Sequence, residues 1–270
     1  MQSPSPFNVA GDAAMRRALV VGVVVSAVAG LLVLVVLAVV VNVAIGLLVC
    51  VAVMVAGAAA WVTHVQHGFA EAMEAVVGDL GHPVSDVEQP AMRNSLDGVA
   101  ILTGVRSPEL RVLELDSANA MVVSDGEESI VVVTSGLLER CRTVESEVIA
   151  AELLCRVRDG SARYGTLAAG LTPMLRRVAG IDEVSVADLL GEQRAVRTDA
   201  DAVAVTRYPP GLVSAFERMA EVGTCVENAV PATAPLWIAP AVGVADGVAA
   251  SVDSAVNQPL DYRIAVLREL

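Results

Sequence analysis

The chain has 270 residues, of which 55% are hydrophobic and only 3% aromatic. That is too apolar for an ordinary water-soluble domain and implies that part of it sits in lipid. The formal charge is −13, and all 18 basic residues are Arg, with no Lys; such a surface repels nucleic acid and anionic headgroups, so neither is an expected partner. The acidic, Lys-free composition fits a high-salt cytoplasm and equally fits a genome with an Arg bias.

The first residues, MQSPSPFNVAGD, are rich in Ser and Pro, and residues 1–17 are expected to be a disordered tail. No Asp, Glu, Lys or Arg occurs between Arg17 and Glu71. The apolar block from Ala18 to Val62 is long enough for two spans of about 20 residues each. A secretory signal needs an apolar core of only about 7–15 residues, although AGAAA at 56–60 offers small residues for cleavage. Asn42, near Gly46, interrupts the block and predicts a helical hairpin over 18–63, with spans near 18–40 and 43–62. A single bent span or a re-entrant segment is the alternative. Arg16 and Arg17 flank the first span, which places the N-terminus and, after two spans, the rest of the chain on the cytoplasmic side of the cell membrane. Cys50, Cys141, Cys155 and Cys225 show no paired spacing and no disulfide framework.

Residues 64–91 read as a juxtamembrane helix and linker: Phe69, Met73, Val76, Val77 and Leu80 recur at helical spacing before Gly81-His82-Pro83. From residue 92 to 270 a further domain follows. NSLDGVAILTGV (94–105) predicts a helix, and ELRVLELD (109–116) a half-buried strand. NAMVV (119–123) and SIVVVT (129–134) flank Ser124-Asp125-Gly126 as in a hairpin. Thr143 to Arg158 predicts a helix with Glu145 and Glu147 in its first turn, where acids favour the helix dipole. More helix is expected over Val184 to Val205, and another from Gly211 to Val222, where Pro210 lies near the first turn.

Six pieces, NSLDGVAILTGVRSPELRVLELDSANAMVV, VVVTSGLLERC, ESEVIAAELLC, RTDADAVAV, PLWIAP and QPLDYRIAVLREL, occur in the order and approximate spacing of membrane zinc metallopeptidases of the HtpX type, relatives of the CAAX prenyl endopeptidases. The resemblance covers about residues 90–270. It implies an α+β, mainly helical fold: two N-terminal transmembrane helices, then a zincin-like peptidase domain with a small β-sheet. In that family the active helix carries HExxH, with two His at i and i+4 as zinc ligands and the Glu as general base. A third ligand, a Glu, comes from a later helix.

This sequence departs from the pattern at each metal position. The first His position is Ala151, the base position is Glu152, the second His position is Cys155, and the third-ligand position is Arg197. Ala has no donor atom, and a guanidinium repels a dication. The resemblance therefore implies a degenerate member, a pseudopeptidase that needs no cofactor. It would serve as scaffold, regulator or peptide-binding partner in membrane-protein quality control, beside the bilayer, an active membrane protease or a membrane-protein client. The alternative is an active metallopeptidase with a rearranged zinc site built from Cys155 and nearby carboxylates, Glu152, Asp199 or Asp201. In the degenerate reading Glu152 is expected to meet Arg197, an ion pair standing where the metal would be.

Asn119, Ala120 and Thr134 match segments that frame the family's substrate cleft, where a peptide could add as a strand; equally, they hold the fold. Cys155 as a thiol nucleophile would need a His, and His64, His67 and His82 all lie near the membrane exit. Residues 160–195 contain no apolar run long enough for the further spans that HtpX-type enzymes carry there.

Overall fold

A computed structural model describes residues 5–40, 43–78, 80–85, 88–181, 189, 191, 193–227, 229–241 and 257–270. Two 35-residue helices open the chain, α1 (Pro6–Val40) and α2 (Val43–Val77), and they pack along each other. Each contains a 31-residue stretch apolar enough to cross a membrane, Pro6–Val36 and Leu47–Val77. At 1.5 Å per residue that stretch is about 46 Å long, well beyond the ~30 Å hydrocarbon layer. Val20, Leu32, Leu48 and Val55 point outward from the pair, as lipid-facing side chains do. Asn42, expected at the hairpin turn, lies outside the described residues.

The expectation of a disordered tail over 1–17 fails from Pro6 onward. Ser5 caps α1: its Oγ accepts from the Asn8 N–H at 3.2 Å and its carbonyl from the Val9 N–H at 3.1 Å. Pro6 then occupies the first helical position, which its fixed φ suits. The Ser-Pro pair is thus a helix start. Phe7, Ala14 and Ala18 pack with Val65 and Phe69 of α2 against Tyr164, Leu167 and Leu175, forming a second core beside the spans. Residues 64–77 are likewise no separate juxtamembrane helix but the last four turns of α2.

The remaining elements are β1 (His82–Pro83), α3 (Pro90–Thr103), β2 (Glu109–Leu113), β3 (Ala120–Ser124), β4 (Ser129–Thr134), α4 (Ser135–Arg140), α5 (Thr143–Asp159), α6 (Ser161–Gly170), α7 (Pro173–Ala179), α8 (Arg194–Thr206), α9 (Pro209–Val222), a 3-10 turn at Pro231–Leu236, and α10 (Leu260–Leu267). Of the helix expected over 184–205, the stretch 184–188 lies outside the described residues. The sheet order is β1-β2-β4-β3; β3 runs antiparallel to β4, β2 parallel to β4 and β1 antiparallel to β2. In the β3–β4 turn, Asp125 Oδ1 accepts from the Glu127 and Glu128 N–H groups, both at 2.8 Å.

Alternate residues of β3 and β4 serve different cores, as the two-residue period requires. Ala120, Val122, Val131 and Val133 face α3, α5 and α9 in the main core, whereas Met121, Val123, Ile130 and Val132 pack with Val76, Val77 and Trp237. The sheet therefore lies between α5 on one face and the C-terminal end of α2 on the other. At the start of helix α5 the Arg142 N–H donates to the Glu145 carboxylate at 2.8 Å, satisfying a backbone donor at the helix end. It ends at Gly160, whose φ of 84° is one that residues with a Cβ rarely adopt.

Candidate functional site

Helix α5 is buried on nearly every side, because Val148, Ile149, Ala151, Leu153 and Leu154 all enter the main core. That burial fixes Glu152, whose carboxylate is wholly enclosed. A buried carboxylate has to be paired, and the partners come from two directions. Arg156, one turn further along α5, donates Nε to Glu152 Oε1 at 3.0 Å and forms a second contact through Nη2. Arg263 of α10 brings Nη2 to 3.5 Å from the same oxygen.

Arg263 belongs mainly to Asp199 of α8. It donates Nε to Oδ2 at 2.7 Å and Nη2 to Oδ1 at 2.6 Å, a bidentate pair, while Nη1 donates to the Ile238 carbonyl. Its guanidinium also lies 4.3 Å from the centre of the Phe216 ring. Burial pushes the Asp199 carboxyl above its usual range, and Arg263 pulls it back. Arg156 Nη1 donates to the Trp237 carbonyl at 2.8 Å, and Arg194, the first residue of α8, donates Nη1 to the Pro235 carbonyl at 2.6 Å. Arg156, Arg194 and Arg263 are all buried. Helices α5, α8 and α10 and the 231–239 segment enclose an ionic cluster dominated by guanidinium groups.

Ala151 is fully buried and Cys155 only 1% exposed. Burial, above all, pushes the Cys155 thiol up to about 12, so that without a metal it is a neutral thiol. Arg197 is exposed, so the expected Glu152–Arg197 pair does not form; on α8 it is Arg194 and Asp199 that are buried. Asp201 is exposed and pairs with Arg158 at 3.5 Å. Of the carboxylates proposed for a rearranged zinc site, Asp199 is held by Arg263 and Glu152 by two arginines. Among the described residues no group of three His, Cys, Asp or Glu could hold a metal ion. The residues at the family's ligand positions do not fit zinc. His64 and His67 are exposed on α2, and His82 on β1.

Asn119, Ala120 and Thr134 come together, and all three are fully buried. Thr134 Oγ1 accepts from the Asn119 N–H at 2.9 Å and donates to the Asn119 carbonyl at 3.0 Å. The Asn119 amide donates to the Thr224 and Ala239 carbonyls at 2.8 and 3.1 Å. The outer edge of β3, which a peptide would need for strand addition, is covered by the chain itself: the Ile238 N–H donates to the Ala120 carbonyl at 2.8 Å, and Trp237 bridges Met121. These residues hold the fold in this conformation and present no open edge.

The residues that sequence reasoning missed are Arg156, Arg194 and Arg263. The one local signal was Arg156, four residues after Glu152 on an otherwise apolar helix, the spacing of an intrahelical ion pair.

No family model matches the chain. It is similar to curated proteins named Protease HtpX homolog: 29% identical over 214 aligned residues to those of Dictyoglomus turgidum and Dictyoglomus thermophilum, covering 67% of this chain and 69% of each relative. The one from Tropheryma whipplei is 24% identical over 213 residues, covering 67% of this chain and 73% of the relative. The two helices long and apolar enough to cross a membrane, the small mixed sheet behind α5 and these similarities agree: the chain is similar to HtpX-type metallopeptidases.

Proposed function

We propose that this chain is a pseudopeptidase: a membrane-anchored HtpX-like protein that works by binding, as scaffold or regulator in membrane-protein quality control, and does not cut peptides. The observation that carries this reading is the pairing of Glu152 Oε1 with both Arg156 and Arg263. A general base must accept a proton from a water that a metal has acidified. At Glu152 the base position is neutralised by cations; of the flanking positions, Ala151 has no donor atom, and Cys155 would be one ligand where a catalytic zinc normally takes three. A zinc ion would have to displace Arg263 from Asp199 and Glu152, leaving buried guanidinium groups unpaired beside a dication.

In this reading the spans lie in the cell membrane with Arg16, Arg17 and the domain on the cytoplasmic side. Partners are an active membrane protease or a membrane-protein client, and the charge of −13 disfavours nucleic acid. Metal content of the detergent-purified, untagged full-length protein tests the proposal. The expected result is no stoichiometric zinc and no chelator-sensitive peptide cleavage. One zinc per chain that disappears in Cys155→Ala would establish the rearranged-site enzyme instead.

A further inference from the structure

The three buried arginines behind α5 do not share the same fate. Arg156 presents its Nε/Nη2 edge to Glu152, and Arg263 presents its Nε/Nη2 edge to Asp199. That edge, two parallel N–H groups in one plane, is the one that matches a carboxylate bidentately. Arg194 is only 2% exposed, yet among the described residues neither its Nε nor its Nη2 has a hydrogen-bond partner, and no carboxylate forms an ion pair with it. Its single bond runs from Nη1 to the Pro235 carbonyl, which also accepts from Arg156 Nη1 at 3.4 Å. Two guanidinium groups are thus held on one oxygen.

Among the described residues the charges around this point do not balance: three enclosed cations, Arg156, Arg194 and Arg263, face two enclosed carboxylates, Glu152 and Asp199. Asp159, at the end of α5, acts on Arg194 and Arg156 at longer range and spends Oδ1 on the Ser161 N–H at 2.7 Å. Burial first, and Arg156 second, lower Arg194 to about 9, which leaves it a cation at neutral pH. Arg194 is also the first residue of a 13-residue helix, where the partial positive charge of the helix end adds to its own.

We propose that the Nε/Nη2 edge of Arg194 binds a carboxylate, carried either by a small organic acid or by the free C-terminus of a peptide. A single negative charge restores the balance, whereas a phosphate dianion would overshoot it, and the planar edge selects a planar anion. This site does not depend on whether the chain cuts peptides.

The test uses the full-length protein in detergent at pH 7, with thermal unfolding and calorimetric titration against sodium acetate, trialanine and trialanine amide, and sodium chloride at equal ionic strength as control. Acetate or the free-acid peptide is expected to stabilise the protein saturably, beyond chloride, with one site per chain. R194M should weaken that binding roughly tenfold or more, and R194K, with one point charge instead of a fork, should fall between. Acetate without peptide binding assigns the site to small acids; free-acid peptide binding tighter than acetate, with the amide inert, assigns it to a peptide terminus. No saturable response of the unmodified protein to either carboxylate would overturn the proposal, as would an equal response of R194M. If R194M fails to fold, R194K decides: binding equal to that of the unmodified protein sinks the bidentate site.

Discussion

Arg263→Met removes the cation that holds α5, α8 and α10 together while keeping most of the side chain's volume. Four interactions go at once: the bidentate pair to Asp199, the contact with Glu152, the bond to the Ile238 carbonyl and the contact with Phe216. The largest consequence is a carboxylate left unpaired inside the protein. Removing one partner of a buried ion pair costs roughly 3–5 kcal/mol, and the lost cation–π contact and hydrogen bond fall within that range because the terms are not additive. In a domain of this size about 1 kcal/mol moves the midpoint by roughly 2–4 °C, so a fall of about 6–20 °C is expected. Fluorescence of Trp237, whose carbonyl accepts from Arg156, reports unfolding next to the cluster. The double variant Asp199→Asn, Arg263→Met should recover at least about 1 kcal/mol of the loss, since it leaves no unpaired charge at this pair. A single variant within about 2 °C of the unmodified protein, or a double variant no better than the single, would refute the view that this cluster organises the site.

Other consequences can be checked separately. At pH 8 the buried thiol of Cys155, pushed by burial to about 12, holds roughly one part in ten thousand as thiolate. A thiol reagent should therefore label exposed Cys225 quickly, half-buried Cys141 more slowly and Cys155 only on unfolding; fast labelling of Cys155 would contradict its burial. Burial pushes the Glu145 carboxyl up, but bonds from the Arg142 N–H, the Ser214 hydroxyl and Arg218 outweigh it and hold the pKa below 4.5. A lowered carboxylate contributes stability that is present above pH 4.5 and lost as pH falls through the folded value. Arg218→Met should flatten that acid limb and leave the alkaline side unchanged in pH-dependent unfolding. At the helix pair, a Cβ on Gly22 would lie 1.7 Å from Trp61 Cδ1. Gly22→Ile should drive Trp61 off the Ala18 carbonyl, cost about 1–3 kcal/mol and shift the Trp61 emission; an unchanged spectrum would deny the close packing of α1 on α2.

Much of the architecture could be read from local pattern. SIVVVT predicts β4 at its observed ends, and the apolar surround of Glu152 predicts a buried α5. The HtpX-type resemblance stood on six short pieces in order, and the curated relatives agree with it. Other features have no short-range signature. The parallel pairing of β2 with β4 joins strands separated by β3, and the cover over the β3 edge comes from residues more than one hundred positions away. The start of α1 at Pro6 was misread because Ser and Pro serve equally as disorder formers and as a helix cap; the docking of Phe7 on α6 and α7 decides between them.

By itself the sequence determined that the chain carries two long apolar helices ahead of a mixed domain; that Ala151, Cys155 and Arg197 stand at the family's metal-ligand positions is what the resemblance implies. The helices follow from composition and periodicity, which need no knowledge of distant contacts. Only the tertiary structure decided which arginine meets Glu152. Helix phase turns Arg197 to solvent and Arg194 and Asp199 inward, and α10 carries Arg263 from more than sixty positions further along the chain to meet Asp199. A charge buried in a protein is set by its three-dimensional neighbours, because low polarity makes each unpaired ion costly enough to dictate how the surrounding helices pack.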